Sequence, residues 1–198
     1  MSENQPPPHV STLHPVVDAA HAALSAPSPW LVRFAALIAP GARVLDYACG
    51  SGRHARWLAA RGMQVDAVDR DRAALDRLQD VTGVRAREMD LEGEDWPLAG
   101  GHYEAVVVTN YLYRPRFDDM LALLPPGGVL IYETFMVGNE RFGKPSSPAF
   151  LLQPGELLER LSGEWTVVAF EQGEVASPRP GVVQRVCAVK GSTICRLP

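Results

Sequence analysis

No stretch of this 198-residue chain is apolar over the roughly 18 residues that a membrane span needs, although 46% of its residues are hydrophobic and 21% charged. That balance belongs to a soluble globular protein. Cysteine is scarce: Cys49, Cys187 and Cys195 form no C-x-x-C pair, which argues against a thiolate zinc site and against a disulfide framework, so reduced thiols are expected. Positive charge is not in excess. Nineteen Lys and Arg face twenty-three Asp and Glu, giving a formal net charge of -4 and a pI near 5.7. With no global positive field to hold a polyanion, nucleic acid is disfavoured as a partner, and only a local basic rim is left for one. The first eight residues hold an acid, no Lys or Arg and a proline triplet, which fits neither a secretory signal nor a transit peptide. The expected location is cytoplasmic.

What is present is an alternation of strand and helix patterns over a length suited to one ordinary domain. Residues 1–28 read as a polar, proline-rich tail with a short alanine-rich helix, Val16 to Leu24, closed by Pro27 and Pro29; residues 29–198 read as the domain. Trp30, Leu31, Phe34, Leu37 and Ile38 recur at helical spacing before Pro40-Gly41. Strands follow at Val44 to Tyr47, Val65 to Val68, Val84 to Met89, Glu104 to Thr109 and Val129 to Tyr132. Helices at Arg53 to Arg61, Asp71 to Leu78 and Phe117 to Leu124 alternate with them.

Strand-helix-strand order implies a parallel sheet. The last two strands, Trp165 to Phe170 and Val182 to Val189, have no helix between them and so are expected to pair antiparallel. The class is α/β: a three-layer, Rossmann-like, seven-stranded sheet, mostly parallel, with an antiparallel C-terminal hairpin strand. There is no internal repeat. A non-periodic loop from Phe135 to Phe150 precedes a helix at Gly155 to Leu161, and loops of that length in compact domains tend to be functional.

Arg43-Val-Leu-Asp-Tyr-Ala-Cys-Gly-Ser-Gly-Arg-His-Ala-Arg-Trp-Leu58 carries the chemistry, because an apolar strand ends in a carboxylate and a small-residue turn before a helix. Such a turn lets backbone approach a nucleotide-like ligand. Gly50-Ser-Gly52-Arg-His-Ala55 also satisfies the loose dinucleotide pattern G-x-G-x-x-G/A. Against a dinucleotide, Asp46 and Cys49 stand where that pattern enters its glycines straight from an apolar strand, and the helix-free terminal hairpin is foreign to that fold.

From about Trp30 to Lys190 the chain resembles the class I S-adenosylmethionine-dependent methyltransferases. Asp46-Tyr-Ala-Cys-Gly-Ser-Gly52 is similar to that family's first motif, with Ala48 in place of its first glycine. Val65-Asp-Ala-Val-Asp69 is similar to the second strand ending in a carboxylate, and Met89-Asp90-Leu91 to the third motif. The resemblance implies S-adenosylmethionine as cofactor, with Gly50 and Gly52 in the turn beneath it, Asp69 accepting both ribose hydroxyls, Asp90 meeting the adenine amino group, and Asp46 near its ammonium. Ala48, Cys49, Arg70, Leu91 and Asn110 complete the implied cofactor set.

A carboxylate suits the ribose because it can accept from two hydroxyls at once. Cys49 at a helix start would be stabilised as a thiolate, but smallness is the simpler reason for it.

Tyr132-Glu133-Thr134-Phe135 and Gly138-Asn-Glu-Arg-Phe-Gly-Lys-Pro145 are similar to the small bacterial tellurite-resistance and thiopurine-type methyltransferases. That likeness implies a small acceptor with a soft nucleophile. Family members that methylate base amines carry Asn/Asp-Pro-Pro-Tyr/Phe after the fourth strand. Asn110-Tyr-Leu-Tyr113 keeps the ends and lacks both prolines. A tRNA, rRNA or protein acceptor, or a noncatalytic nucleotide-binding module of the same fold, are the alternatives.

Glu133, Tyr111 and Tyr113 are the candidate catalytic residues, as a carboxylate or phenol near the transfer. Tyr111, Tyr113, Phe135 and Phe142 fall at strand ends, where ligands bind in such sheets. Arg114, Arg116, Arg141, Lys144 and Arg179 lie on loops expected at the same edge and suggest a cationic rim for an anionic acceptor. His14, Asp18 and His21 share a helical face at metal-ligand spacing, but without a fourth ligand they read as a solvated face and no metal is assigned. Oligomeric state is left open.

Overall fold

The computed structural model describes residues 26–192 and residue 194. The expected Val16 to Leu24 helix and the His14, Asp18 and His21 face lie outside the described residues.

Seven strands make one sheet: β1 Arg43–Tyr47, β2 Gln64–Asp69, β3 Val84–Glu88, β4 Ala105–Thr109, β5 Val129–Phe135, β6 Trp165–Val175 and β7 Gly181–Lys190. Their order is β3-β2-β1-β4-β5-β7-β6. β1 to β5 are parallel, β7 runs antiparallel to β5, and β6 pairs antiparallel with β7. The expected class is what forms. Both terminal strands are longer than the sequence pattern suggested, and β6 carries an irregularity between Val167 and Ala169.

Helices α1 Pro29–Phe34, α2 Arg53–Ala59, α3 Arg72–Leu75, α4 Phe117–Ala122 and α5 Glu156–Arg160 cover the sheet. The stretch expected as one helix from Asp71 to Leu78 is α3 followed by a 3-10 turn, Asp76–Leu78. Ser28 caps α1 by accepting from the Trp30 N–H, and Pro29 stands at its first turn, where its lacking N–H costs nothing.

Alternation along the central strands sends side chains to two separate cores. Leu45, Tyr47, Val106, Val108, Leu130 and Tyr132 pack with Phe117, Met120, Leu121 and Leu157 on one face. Val44, Val65, Ala67, Val107 and Ile131 pack with Trp30, Phe34, Ala55, Leu58 and Leu78 on the other. That double covering explains the unbroken apolar run in β4, which a half-exposed strand would not show. Among the described residues no helix is long and apolar enough to cross a membrane.

Candidate active site

The parallel strands all end at one edge, and there a cavity of about 380 Å³ opens, lined by Ala48, Asp69, Arg70, Met89, Asp90, Leu91, Glu92, Asn110, Tyr111, Leu112, Thr134, Pro145 and Phe150. Its lining draws on the carboxyl ends of β1 to β5, where an open α/β sheet leaves a crevice. Two of these residues, Ala48 (φ 54°) and Asn110 (φ 56°), are the positive-φ residues other than glycine among those described. They follow β1 and β4, neighbours in the sheet, and strain of this kind gathers at functional sites. Ala48 thus holds a left-handed backbone conformation that glycine adopts at less cost.

The small-residue turn is built from within. The Asp69 carboxylate accepts the Gly50 N–H at 2.7 Å and the Asp71 N–H at 2.9 Å, so β2 fixes the turn that leaves β1. Gly52 has a φ of 72°, and a Cβ there would collide with the buried Leu78 side chain. Gly50 has a φ of 54° and open space where a Cβ would be. Its role is the turn; that of Gly52 is also close packing of α2.

Asp46 departs from the expectation that it faces a ligand. It is 1% exposed, outside the cavity lining, and its carboxylate accepts the Ala55 N–H at 2.9 Å at the start of α2. Burial pushes its carboxyl up to about 7, despite that N–H and the nearby Arg53 charge. His54 is also buried. The Ser28 N–H donates to its Nε2 at 3.2 Å, which leaves the proton on Nδ1, 3.3 Å from Thr109 Oγ1. Burial, with the Arg53 charge adding to it, holds this imidazole down at about 3. Cys49 is buried too, and desolvation pushes its thiol well above the ordinary range. It is a neutral small residue and not a thiolate.

Glu133 is likewise corrected. β5 continues to Phe135, and alternation turns Glu133 to the α1 face, where Ser28 Oγ donates to it at 2.7 Å and Arg185 pairs with it at 3.2 Å. It does not line the cavity, whereas its neighbour Thr134 does.

Tyr111 lines the cavity as expected, but as a phenol. Burial foremost, then the neighbouring Tyr47 and Glu92, pushes its hydroxyl well above the ordinary range, and it donates to Glu92 Oε1 at 3.2 Å. Tyr113 is outside the lining; its hydroxyl donates to the Glu92 carbonyl. Phe135 packs in a side core with Leu151 and Val183. Phe142 is exposed and stacks with Arg141.

Most of the suspected cationic rim is engaged elsewhere. Arg114 grips Glu156 through two nitrogens and also donates to the carbonyls of Ala149 and Leu151. Arg116 pairs with Asp119 and donates to the Gly93 carbonyl. Arg141 pairs with Glu174, and Arg179 stacks over Phe135. Lys144 is exposed and outside the lining.

Of the residues singled out in the sequence, the cavity unites Ala48, Asp69, Arg70, Asp90, Leu91, Asn110 and Tyr111, and leaves out Asp46, Cys49, Gly50, Gly52, Glu133 and Tyr113. Sequence reasoning missed Met89, Glu92, Leu112, Thr134, Pro145 and Phe150. Glu92, two residues beyond Asp90, was legible as a second acid on the same loop.

Residues 44–128 match the family model described as a methyltransferase domain. The ribosomal RNA small subunit methyltransferase C of Chromohalobacter salexigens is 35% identical over 144 residues, covering 65% of this chain and 38% of that protein. The chain therefore spans about two fifths of the length of that curated relative. TehB from Haemophilus influenzae superposes with a TM-score of 0.65 at 19% identity, over 91% of this chain and 63% of TehB. A putative S-adenosylmethionine dependent methyltransferase from Listeria monocytogenes superposes with a TM-score of 0.61 at 16% identity, over 89% of this chain and 100% of its own. Residues 44–128 are thus similar to a methyltransferase domain, and the chain shares the fold of TehB and of the Listeria monocytogenes protein.

Proposed function

We propose that this protein transfers the methyl group of S-adenosylmethionine to a small-molecule acceptor bearing a soft nucleophile. One observation carries the reading: a single cavity places the carboxylates of Asp69 and Asp90 at the ends of β2 and β3 beside Asn110, Tyr111 and Thr134 at the ends of β4 and β5. The donor set fits the cofactor. Asp69 keeps lone pairs for two ribose hydroxyls beyond the backbone N–H groups it accepts, and Asp90 offers an acceptor for an exocyclic amine. Arg70, Leu91 and Met89 line the same end, and Ala48 gives the turn a minimal side chain. Gly50, Gly52, Cys49 and Asp46 serve the cofactor indirectly, by holding the turn and the start of α2. Bound there, S-adenosylmethionine supplies a methyl group activated by a sulfonium. The chain's own part is to orient the acceptor against it and exclude water.

Ribosomal RNA is the second reading, favoured by the 35% identical relative. Against it stand the net charge of -4 and the absence of the two prolines between Asn110 and Tyr113. A noncatalytic module would bind the cofactor and transfer nothing. Calorimetry with S-adenosylmethionine, followed by transfer of a labelled methyl group to thiols, amines, oxyanions, tRNA and ribosomal RNA, separates these readings. Micromolar cofactor binding with label on a small molecule is expected; label on RNA alone, or no cofactor binding, sinks the proposal.

A further inference from the structure

A second cavity is opposite in charge to the one at the strand ends and shares no lining residue with it. α2 buries His54, Ala55 and Leu58, and turns Arg53, Arg56 and Trp57, three and four residues apart, to its other side. There an open cavity of about 350 Å³ is lined by Pro27, Ser51, Arg53, Arg56 and Trp57. That lining holds arginine and no carboxylate, whereas the cavity at the strand ends holds Asp69, Asp90 and Glu92.

The arginines here are held in place without being neutralised. Arg56 donates to the Ser51 carbonyl at 2.6 Å and to the Arg77 carbonyl at 2.5 Å. Carbonyls orient a guanidinium but bring no full negative charge, and further N–H donors are left on the same planar fork. Arg61 donates to the Trp57 carbonyl and lays its guanidinium over the Trp57 ring, 3.5 Å from the centroid. Among the described residues, Arg56, Arg61 and Arg77 have no carboxylate at ion-pair distance, whereas Arg43, Arg114 and Arg185 do. Asp76, the acid beside Arg77, is taken by Arg72 and Gln79. Arg53 donates to the Ala26 carbonyl and also feels the Glu133 and Asp46 charges, so Arg56 is the stronger anion donor of the two.

An oriented guanidinium beside an indole fits a ligand that joins an anion to a flat ring. We propose that this cavity binds a nucleotide, with Arg56 as the main donor to its phosphate and Trp57 against its base. The volume lies at the small end of ligand pockets, so it takes one nucleotide unit. A free nucleotide and the phosphorylated end of an RNA strand both present that chemistry. Arg61 and Arg77 are exposed and add positive potential around the cavity in either case. The site goes beyond the methyl-transfer reading and does not depend on it.

Calorimetry on the full chain, with residues 1–25 present, tests this. ADP, adenosine and a short 5′-phosphorylated oligouridine are titrated with and without saturating S-adenosylhomocysteine. ADP binds at least about tenfold more tightly than adenosine, the factor supplied by one charge-assisted contact, and its affinity is the same with S-adenosylhomocysteine present and in Asp90→Ala. Arg56→Ala removes that preference, and Trp57→Ala weakens ADP. If Arg56→Ala does not fold, Arg61→Ala, at an exposed side chain, must weaken ADP for the proposal to stand. Oligouridine binding more tightly than ADP, and lost in the same variants, identifies the source as an RNA end; ADP binding more tightly identifies a free nucleotide. Neither ligand binding, adenosine binding as tightly as ADP, or ADP displaced by S-adenosylhomocysteine overturns the site. Failure of S-adenosylhomocysteine itself to bind defeats the methyl-transfer reading alone.

Discussion

Asp66 and Asp69 sit three residues apart on β2, and the sheet treats them in opposite ways. Asp66, near the amino edge, is 6% exposed and closed in by cations and a phenol. Arg43 donates to it at 2.8 Å, Tyr103 donates at 2.9 Å, and Arg87 stands at 3.5 Å. Burial pushes its carboxyl up, but the hydrogen bonds from Arg43 and Tyr103 and the two arginine charges outweigh burial and hold it below the ordinary range. Asp69, at the carboxyl edge, has two backbone N–H groups as partners and faces the cavity. A carboxylate closed by side chains is structure. One held only by backbone, with lone pairs to spare beside a cavity, is available to a ligand. The difference comes from the parallel sheet itself, because strand exits leave a crevice at one edge only.

Replacement of each acid tests that contrast. Asp69→Ala is expected to lower S-adenosylmethionine affinity at least about a hundredfold, close to 2.7 kcal/mol, and to lower the unfolding midpoint by less than Asp66→Asn does. Calorimetry that finds the affinity intact would falsify the ribose assignment. Asp66→Asn is expected to do the reverse. It weakens a buried, charge-assisted network and costs about 1–3 kcal/mol in urea unfolding, since Tyr103 loses an ionised acceptor, with unchanged affinity for S-adenosylmethionine. If Asp66→Asn proves as stable as the parent, the amino edge is not the anchor that its geometry implies.

Acid titration extends the comparison to Asp46, a buried carboxylate with no cation hydrogen-bonded to it. Because the folded chain keeps a proton on Asp46 from pH 3.8 up to about 7, this group's contribution to stability fades as pH rises through that window. His54 acts oppositely. Its imidazole is neutral when folded down to about 3 and protonates near 6.5 when unfolded, so its contribution is lost as pH falls through that range. Over roughly pH 4 to 6.5 the two slopes offset each other. In Asp46→Asn the His54 slope is exposed, and Tm should climb with pH across this interval more steeply than in the parent; equal slopes would refute the assignment. Asp66, held low, contributes stability above pH 3.8 and loses it below.

The smallest effect is expected at Arg114, whose side chain braces Glu156 and the carbonyls of Ala149 and Leu151 near the cavity wall. Arg114→Ala should cost about 1 kcal/mol of stability and leave the salt dependence of acceptor binding unaltered. A changed salt dependence would restore the cationic rim that its pairing with Glu156 argues against.

Much of the fold was legible along the chain, and the reason is local. Runs such as Ala105 to Thr109 are β-branched without alternation because both faces are covered, and Pro125-Pro126-Gly127-Gly128 stops the preceding helix by the angles it imposes. The half of the cavity proposed for the cofactor was legible for a similar reason. Ala48, Asp69 and Asp90 sit where strands end, and strand ends are written in the sequence as a loss of pattern. The half proposed for the acceptor was not. Whether Glu133 or Thr134 faces the cavity depends on how far β5 continues, and alternation reverses with each residue gained or lost. Glu92 and Tyr111 meet across nineteen residues only because β2 and β1 lie between β3 and β4 in the sheet.

The sequence by itself determined the order of strands and helices, the place of the small-residue turn and the carboxylates at the ends of β2 and β3, because periodicity and turn chemistry act over a few neighbouring residues. Only the tertiary structure decided what each charge is for. It turned Asp46 to the start of α2, gave Glu133 to Arg185 and Arg114 to Glu156, and left Glu92 with Tyr111 at the cavity. The partner of a charged side chain is chosen by three-dimensional proximity and burial, and those exist only once the sheet has closed.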